Sequence, residues 1–305
     1  MKNLYFIGVD GGGSKTSYVL IDQNKKIIKT YKNGPTTFDV ISKEQFTKTI
    51  KEGITNVLPD NGDIASIFLG IGGVSCKNDE LEICNIIKNF NIFSDKTLIN
   101  SGNDIYNAFF STFTNSGICL IVGTGSVIFG KDIFGNEKRL SGYGFLEGDV
   151  GSGYYIGLSA LKILGKMYDG VTPFDNTFID FSNKLGIRSK EDLIKHFNNA
   201  SRNEIAKEAK YLIEHHENKH IFKILIDGAN KYAIYVNSLC KQLPNIEKNL
   251  TIIGSCGLNE IYNRLIMSEI NSLQPGIKYI SHANEADFGA ANYAYIIYNN
   301  KQIKR

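Results

Sequence analysis

The residues best suited to chemistry stand near the start of the chain, in Asp10-Gly11-Gly12-Gly13-Ser14-Lys15-Thr16. Two apolar, β-rich runs flank them, residues 4–9 and 17–21. This pattern predicts a β-hairpin whose glycine-dense tip lets backbone amides approach an anion closely. Backbone N–H groups with Ser14, Lys15 and Thr16 would make a phosphate cradle. Asp10, at the end of the first strand, would hold a hydrated magnesium ion. The spacing is not G-x-x-x-x-G-K-[ST], and a strand rather than a helix follows, so neither the P-loop nor the dinucleotide fingerprint applies. An ordinary glycine hairpin satisfies the same residues.

A second turn of the same character, Gly123-Thr124-Gly125-Ser126, joins the apolar runs 117–122 and 127–131. Asp104 follows a strand and precedes a helix starting at Ile105. That is the expected place for a catalytic group in an open α/β sheet, and equally for a helix cap. Asp149 lies in a glycine-rich loop before a helix, where a carboxylate can simply complement the helix dipole. His216 and His220 have i, i+4 spacing but no third ligand at an obvious distance, so they read as a solvent-facing cluster. The tyrosines and phenylalanines read as core.

The elements that must position these residues alternate. Strands are expected at 4–9, 17–21 and 25–31, with Ile27, Ile28 and Tyr31 on a core. A helix capped by Ser42 over 43–58 comes next, then a strand at 64–71. A helix over 79–89 should carry Leu81, Cys84 and Ile87 inward. A strand at 96–100 and a helix over 105–113 complete one α/β domain with a mixed sheet. The pattern then repeats: strands at 117–122, 127–131 and 138–141, and helical stretches within 156–167, 192–197, 205–214 and 220–242. A strand at 250–253, a helix through Leu265, a strand at 278–281 and a final helix over 284–299 follow. The second glycine turn therefore occupies in the second half the place the first turn has in the first half.

At 305 residues, 42% hydrophobic and 21% charged, the chain suits two globular domains. A net charge of +3 is too small to imply a nucleic-acid partner. No apolar run reaches membrane-spanning length, and Gly and Asp interrupt the N-terminus at once, unlike a signal peptide. The basic tail 301–305 reads as a solvated end. The cysteines, Cys76, Cys84, Cys119, Cys240 and Cys256, are odd in number and lack a C-x-x-C pair, which fits free thiols in a reducing cytoplasm. Cys119 and Cys256 lie by the two later glycine-rich turns, where burial is expected.

The opening motif resembles the phosphate loop of the BadF/BadG-type ATPase and N-acetylglucosamine kinase family, of the sugar kinase, actin and Hsp70 superfamily. Asn103-Asp104 looks like its catalytic aspartate position, and Gly123-Thr124-Gly125-Ser126 like its second phosphate loop. The segment Gly142-Tyr143-Gly144-Phe145-Leu146-Glu147-Gly148-Asp149-Val150-Gly151-Ser152-Gly153 is similar to its sugar-binding segment. Gly254-Ser255-Cys256-Gly257 resembles its adenosine motif, and Gly289-Ala290-Ala291 the small-residue start of its last helix. The resemblance runs the whole chain in order. It implies two ribonuclease-H-like (actin-type) α/β domains around a nucleotide cleft: residues 1–113, completed by the helix at about 284–299, and residues 114–305 with a helical insertion. It also implies ATP with Mg2+, and an N-acetylated amino sugar phosphorylated at the 6-hydroxyl with Asp104 as general base. The sugar contacts carried over are Thr37, Asp104, Gly142, Tyr143 and Asp149. The nucleotide contacts are Gly12, Gly13, Ser14, Lys15, Thr16, Gly123, Thr124, Gly125, Ala206, Gly254, Ser255 and Asn259, with Asp10 for the metal. A cytoplasmic enzyme is implied, and the helical second half is consistent with a homodimer.

The sequence departs from the family at three points. Thr37 stands where an Asn is usual in the G-P-x-N loop; its shorter reach widens the pocket, as the lactyl ether of N-acetylmuramic acid would require. Tyr143 replaces the tryptophan of G-W-G and can still stack on a sugar face. Val150 replaces the Glu of G-D-E-G-S, while Glu147 matches no family position. Two other functions share the resemblance: an ATPase activator of a 2-hydroxyacyl-CoA dehydratase-type system, whose cluster-binding cysteine loops this chain does not reproduce, and a non-enzymatic nucleotide or sugar sensor.

Overall fold

The computed structural model describes residues 3–38, 40–144, 149–282 and 284–303, which divide into two compact units. The first contains residues up to Thr114 together with the C-terminal segment from His282; the second runs from Asn115 to Ser281.

The first unit begins with a meander, β1 (Leu4–Gly11), β2 (Thr16–Asp22) and β3 (Ile27–Asn33), followed by α1 (Lys43–Val57), β4 (Asp63–Ile71), α2 (Lys77–Lys88), β5 (Leu98–Asn103) and α3 (Ile105–Phe110). The second unit contains β6 (Gly117–Val122), β7 (Ser126–Lys131), β8 (Glu137–Leu140), α4 (Gly153–Tyr168), α5 (Asn176–Lys184), α6 (Lys190–Asn199), α7 (Arg202–Lys207), α8 (Ala209–Glu214) and α9 (Lys219–Gln242), then β9 (Asn249–Ile253), α10 (Glu260–Leu273) and β10 (Lys278–Tyr279). The last helix, α11 (Ala286–Ile303), belongs to the first unit.

Each unit has a five-stranded mixed sheet, in the orders β3-β2-β1-β4-β5 and β10-β9-β6-β7-β8. In both, an antiparallel meander is followed by strands parallel to its first member. Read from the meander's outer edge, the two orders coincide, so the repeated glycine turns come from a repeated topology.

Strand alternation divides the first core. Ile7 and Val9 of β1 face one way with Leu20, Ile67 and Leu69, under Phe46, Ile50 and Ile54 of α1 and Ile83 and Ile87 of α2. Phe6 faces the other way with Val19, Ile21 and Phe68, against Ala290, Ala291 and Ala294 of α11. The second unit has a single core, in which Ile118, Leu120 and Ile252 of its sheet meet Ile156, Leu164, Leu225, Val236 and Ile266 of its helices. No described helix is long and apolar enough to cross a membrane.

Several sequence expectations need correction. Ile27 and Ile28 do not join a core: they are 50% and 40% exposed, because β3 is the outer strand of its sheet. Leu81 is 52% exposed, and α2 buries Ile83 and Ile86 beside Ile87. The strand expected to end at residue 100 runs to Asn103, which brings Ser101 and Gly102 into the sheet. The stretch 205–214 breaks at Glu208 into α7 and α8. Helix α5, capped by Asp175 and burying Phe178 and Phe181, was not anticipated.

Candidate active site

The first glycine turn closes between paired residues Gly11 and Thr16, with the Gly12 N–H bonded to the Lys15 carbonyl at 3.1 Å. Gly13, Ser14 and Lys15 are exposed at its tip. Gly11 is required by close approach, since a Cβ there would overlap the Thr36 hydroxyl and the Ile71 side chain.

The loop from Gly34 to Phe38 is laced onto this turn. The Thr36 N–H donates to the Gly12 carbonyl at 3.1 Å, and the Gly72 N–H to the Gly11 carbonyl at 2.8 Å. Thr16 is fully buried; its hydroxyl donates to the Gly34 carbonyl at 2.7 Å and meets the Thr36 hydroxyl at 2.8 Å. The Thr16 side chain therefore holds this loop against the turn, its proton used on Gly34.

That lacing gathers three sequence-derived residues. A Cβ on Gly13 would stand 3.3 Å from Thr37 Oγ1, and one on Gly72 would stand 3.8 Å from the same atom and 3.5 Å from Asp104 Oδ2. Thr37 and Asp104 thus lie beside Gly72, and Gly13 lies beside Thr37. Asp104 is exposed and occupies the cap position of α3 with helical backbone angles, without a side-chain cap bond. Asn103 does the capping: its Oδ1 accepts from the Ile105 N–H at 3.1 Å, and its Nδ2 donates to the Val74 carbonyl at 2.9 Å.

Asp10 lies at the floor of the same place. Burial pushes its carboxyl up to about 6; a hydrogen bond from Asn107 opposes this, the charges of Asp104 and Asp287 add to it, and Lys15 draws it back. Asn107 is fully buried, and its Nδ2 contacts Asp10 Oδ1 at 2.8 Å, the Gly70 carbonyl at 3.0 Å and the Val9 carbonyl at 3.3 Å. Gly70 is glycine because Asn107 lies over it. Among the described residues no three His, Cys, Asp or Glu side chains converge to cage a metal. A carboxylate in this negative field still fits a nucleotide-borne cation, which takes one or two protein carboxylates and completes its shell with phosphate and water.

In the second unit, the turn at Gly123–Gly125 closes with the Gly123 N–H on the Gly125 carbonyl at 2.9 Å. Gly254, with φ +91°, lets the chain turn back over the end of β6, where the Cys256 and Gly257 N–H groups bond the Val122 carbonyl at 3.0 and 2.9 Å. Gly153 joins these parts: its N–H donates to the Gly123 carbonyl at 2.8 Å, and a Cβ on it would stand 3.0 Å from the Ala206 carbonyl and 3.1 Å from Cys256 Sγ. Gly123, Thr124, Gly125, Ala206 and Gly254 are therefore neighbours, with Ser255 exposed beside them. Asn259 caps α10, its Oδ1 accepting from the Ile261 and Tyr262 N–H groups at 3.0 and 3.3 Å. Its side-chain oxygen therefore serves as a helix cap. Burial pushes the Cys119 thiol up to about 12 and raises that of Cys256, so neither is a reactive thiolate.

The segment expected to bind sugar is described only at its two ends, since residues 145–148, Glu147 among them, lie outside the described residues. Gly142 has φ +72° and Tyr143 is 78% exposed. Asp149 does not cap α4, a task Ser152 performs by accepting from the Tyr155 N–H at 3.2 Å. The Asp149 carboxylate accepts from the Ser126 N–H at 3.1 Å and pairs with Arg202.

Four residues went unread in the sequence: Thr36, Asn107, Arg202 and Asp287. Only Asn107 left a signal, as an amide on the otherwise apolar buried face of α3, one turn after Asp104.

This arrangement matches known proteins over nearly its whole length. An N-acetylmuramic acid/N-acetylglucosamine kinase of Clostridium acetobutylicum is 27% identical over 301 residues, covering 94% of this chain and 96% of that one. An N-acetyl-D-glucosamine kinase of Dictyostelium discoideum is 28% identical over 322 residues, covering 95% and 98%. A solved structure from Chromobacterium violaceum, provisionally named an N-acetylglucosamine kinase, superposes with a TM-score of 0.74 at 15% identity, covering 97% of this chain and 99% of that one, a likeness of fold. The model of one family spans residues 7–294, both glycine turns and Asp104 included, and the chain belongs to that family, the BadF/BadG/BcrA/BcrD ATPases.

Proposed function

We propose that the protein is an ATP-dependent amino-sugar kinase that phosphorylates the 6-hydroxyl of an N-acetylated amino sugar, N-acetylglucosamine and, through the space left at Thr37, N-acetylmuramic acid. The observation that carries this reading is that Asp104 and Thr37 lie beside Gly72, with Thr37 also beside Gly13 of the first glycine turn and Asn103 relieving Asp104 of helix capping. Two relatives matched over more than nine-tenths of this chain bear amino-sugar kinase names, and they supply the substrate class.

In this reading the sugar O6–H proton passes to the Asp104 carboxylate as O6 bonds to the γ-phosphorus. The bond from that phosphorus to the bridging oxygen breaks, and ADP leaves. Gly12, Gly13, Ser14 and Lys15 donate to the phosphates, as do Thr124 and Gly125. Ala206, Gly254 and Ser255 border the adenosine. Thr37, Gly142 and Tyr143 contact the sugar. Mg2+, when bound with the nucleotide near Asp10, screens the phosphate charge.

Asp104→Asn tests the assignment. The residue is exposed and caps nothing with its side chain, so the variant should melt with the parent and bind both substrates, while kcat falls by about a hundredfold or more. Full turnover in the variant would refute the base.

A further inference from the structure

Two fully buried hydroxyls, of Thr16 and Thr36, join the first glycine turn to the loop that follows β3. The single proton of the Thr16 hydroxyl goes to the Gly34 carbonyl at 2.7 Å. At its 2.8 Å contact with Thr36 the Thr16 oxygen therefore accepts, and Thr36 donates. Thr36 also donates its N–H to the Gly12 carbonyl at 3.1 Å. It is thus bonded to both sides of the turn, and a Cβ on Gly11 would overlap its hydroxyl.

The backbone bond sets the direction of one amide. The peptide between Gly12 and Gly13 is trans and planar, so with its carbonyl turned to Thr36 its N–H points the opposite way. This Gly13 N–H has no protein acceptor among the described residues, and Gly13 is exposed. It is one of the donors assigned above to the phosphates. The next residue of the loop, Thr37, is assigned to the sugar, and a Cβ on Gly13 would stand 3.3 Å from its Oγ1. Thr36 therefore stands between a phosphate donor and a sugar contact.

We propose that Thr36 is a positioning residue that aims the Gly13 N–H at the phosphates and ties it to the sugar loop, so that sugar and nucleotide strengthen each other's binding. The assignment rests on the kinase reading above. The Thr36 hydroxyl, held by Thr16, keeps the Thr36 N–H in register with the Gly12 carbonyl. A sugar that orders the loop at Thr37 then orders the Gly12–Gly13 peptide as well, and the nucleotide meets a donor already fixed. Linkage makes the effect equal in both directions.

The test compares Thr36→Val and Thr36→Ser with the parent. Valine keeps the shape and removes the hydroxyl, while Thr16 retains its bond to Gly34; serine keeps the hydroxyl. Calorimetry measures binding of a non-hydrolysable ATP analogue with and without saturating N-acetylglucosamine, and of the sugar with and without the analogue. In the parent each ligand should strengthen binding of the other about tenfold. That ratio should fall below about twofold in Thr36→Val and stay near the parent's in Thr36→Ser. A merely structural role would weaken each ligand alone and leave the ratio unchanged in Thr36→Val, which overturns the proposal. Loss of the ratio in Thr36→Ser also overturns it, as does a parent without coupling, a result that needs no variant to fold. Where the parent still phosphorylates N-acetylglucosamine, these outcomes leave the kinase reading standing. Parent protein that binds the analogue but neither binds nor phosphorylates an N-acetylated amino sugar defeats the kinase reading and this proposal with it.

Discussion

Asn107 explains how a half-buried carboxylate persists at the floor of the first site. Its amide bridges Asp10, Val9 and Gly70, fixing the Asp10 carboxyl while burial and the charges of Asp104 and Asp287 push it up to about 6. The sign of the consequence is definite. In the unfolded chain Asp10 ionises near 3.8, so as pH rises from there through 6 the folded state loses stability relative to the unfolded one. Asp10→Asn removes that cost and keeps an oxygen for Asn107. It should stabilise the nucleotide-free protein by about 1–2 kcal/mol at pH 7.5, a figure discounted for the partial exposure of Asp10, with the gain vanishing below about pH 4. Urea unfolding at both pH values checks it. Asp10, Asp104 and the glycine turn could be picked out of the sequence because the phosphate chemistry proposed for them restricts residue type. Thr36 and Arg202 could not, because their parts depend on close approach to Gly11 and Gly125, glycines from which no spacing rule points to a distant partner.

At the scale of elements, the site depends on how closely β1 and α11 approach. Gly8 faces the Ala291 backbone with no room for a methyl group, and Gly289 lies equally close to the Asn107 backbone in α3. Gly8→Ala must push helix from strand, and should cost about 3 kcal/mol in urea unfolding without touching a proposed ligand contact. An unchanged midpoint would mean that this packing is softer than it looks. The meander, the apolar face of α1 and the small-residue start of α11 were readable from periodicity. Edge position was not: Ile27 and Ile28 look like core in the sequence, and only the sheet order places β3 outermost. Helix α5, nine residues long, is too short for an apolar period to declare itself, and the break at Glu208 that divides 205–214 into α7 and α8 leaves no mark in that period.

For the molecule as a whole, the repeat is the organising fact. Both units run a meander into parallel strands and place a glycine turn at the same point of that order, Gly12–Lys15 in one and Gly123–Gly125 in the other. Lys15 is exposed on the first turn, and Arg202, paired with Asp149, lies against Gly125 of the second. Two such turns would suit any ATPase of the family; in the proposed function the sugar acceptor comes from the two amino-sugar kinase relatives, with Asp104 as its base. The most direct test is coupled ADP release with N-acetylglucosamine, N-acetylmuramic acid, glucosamine, mannosamine and glucose, with the position of any new phosphate read by NMR. The account predicts release that depends on an N-acetylated amino sugar, with the phosphate on O6. ATP hydrolysis indifferent to every sugar, or phosphate on another oxygen, would contradict it.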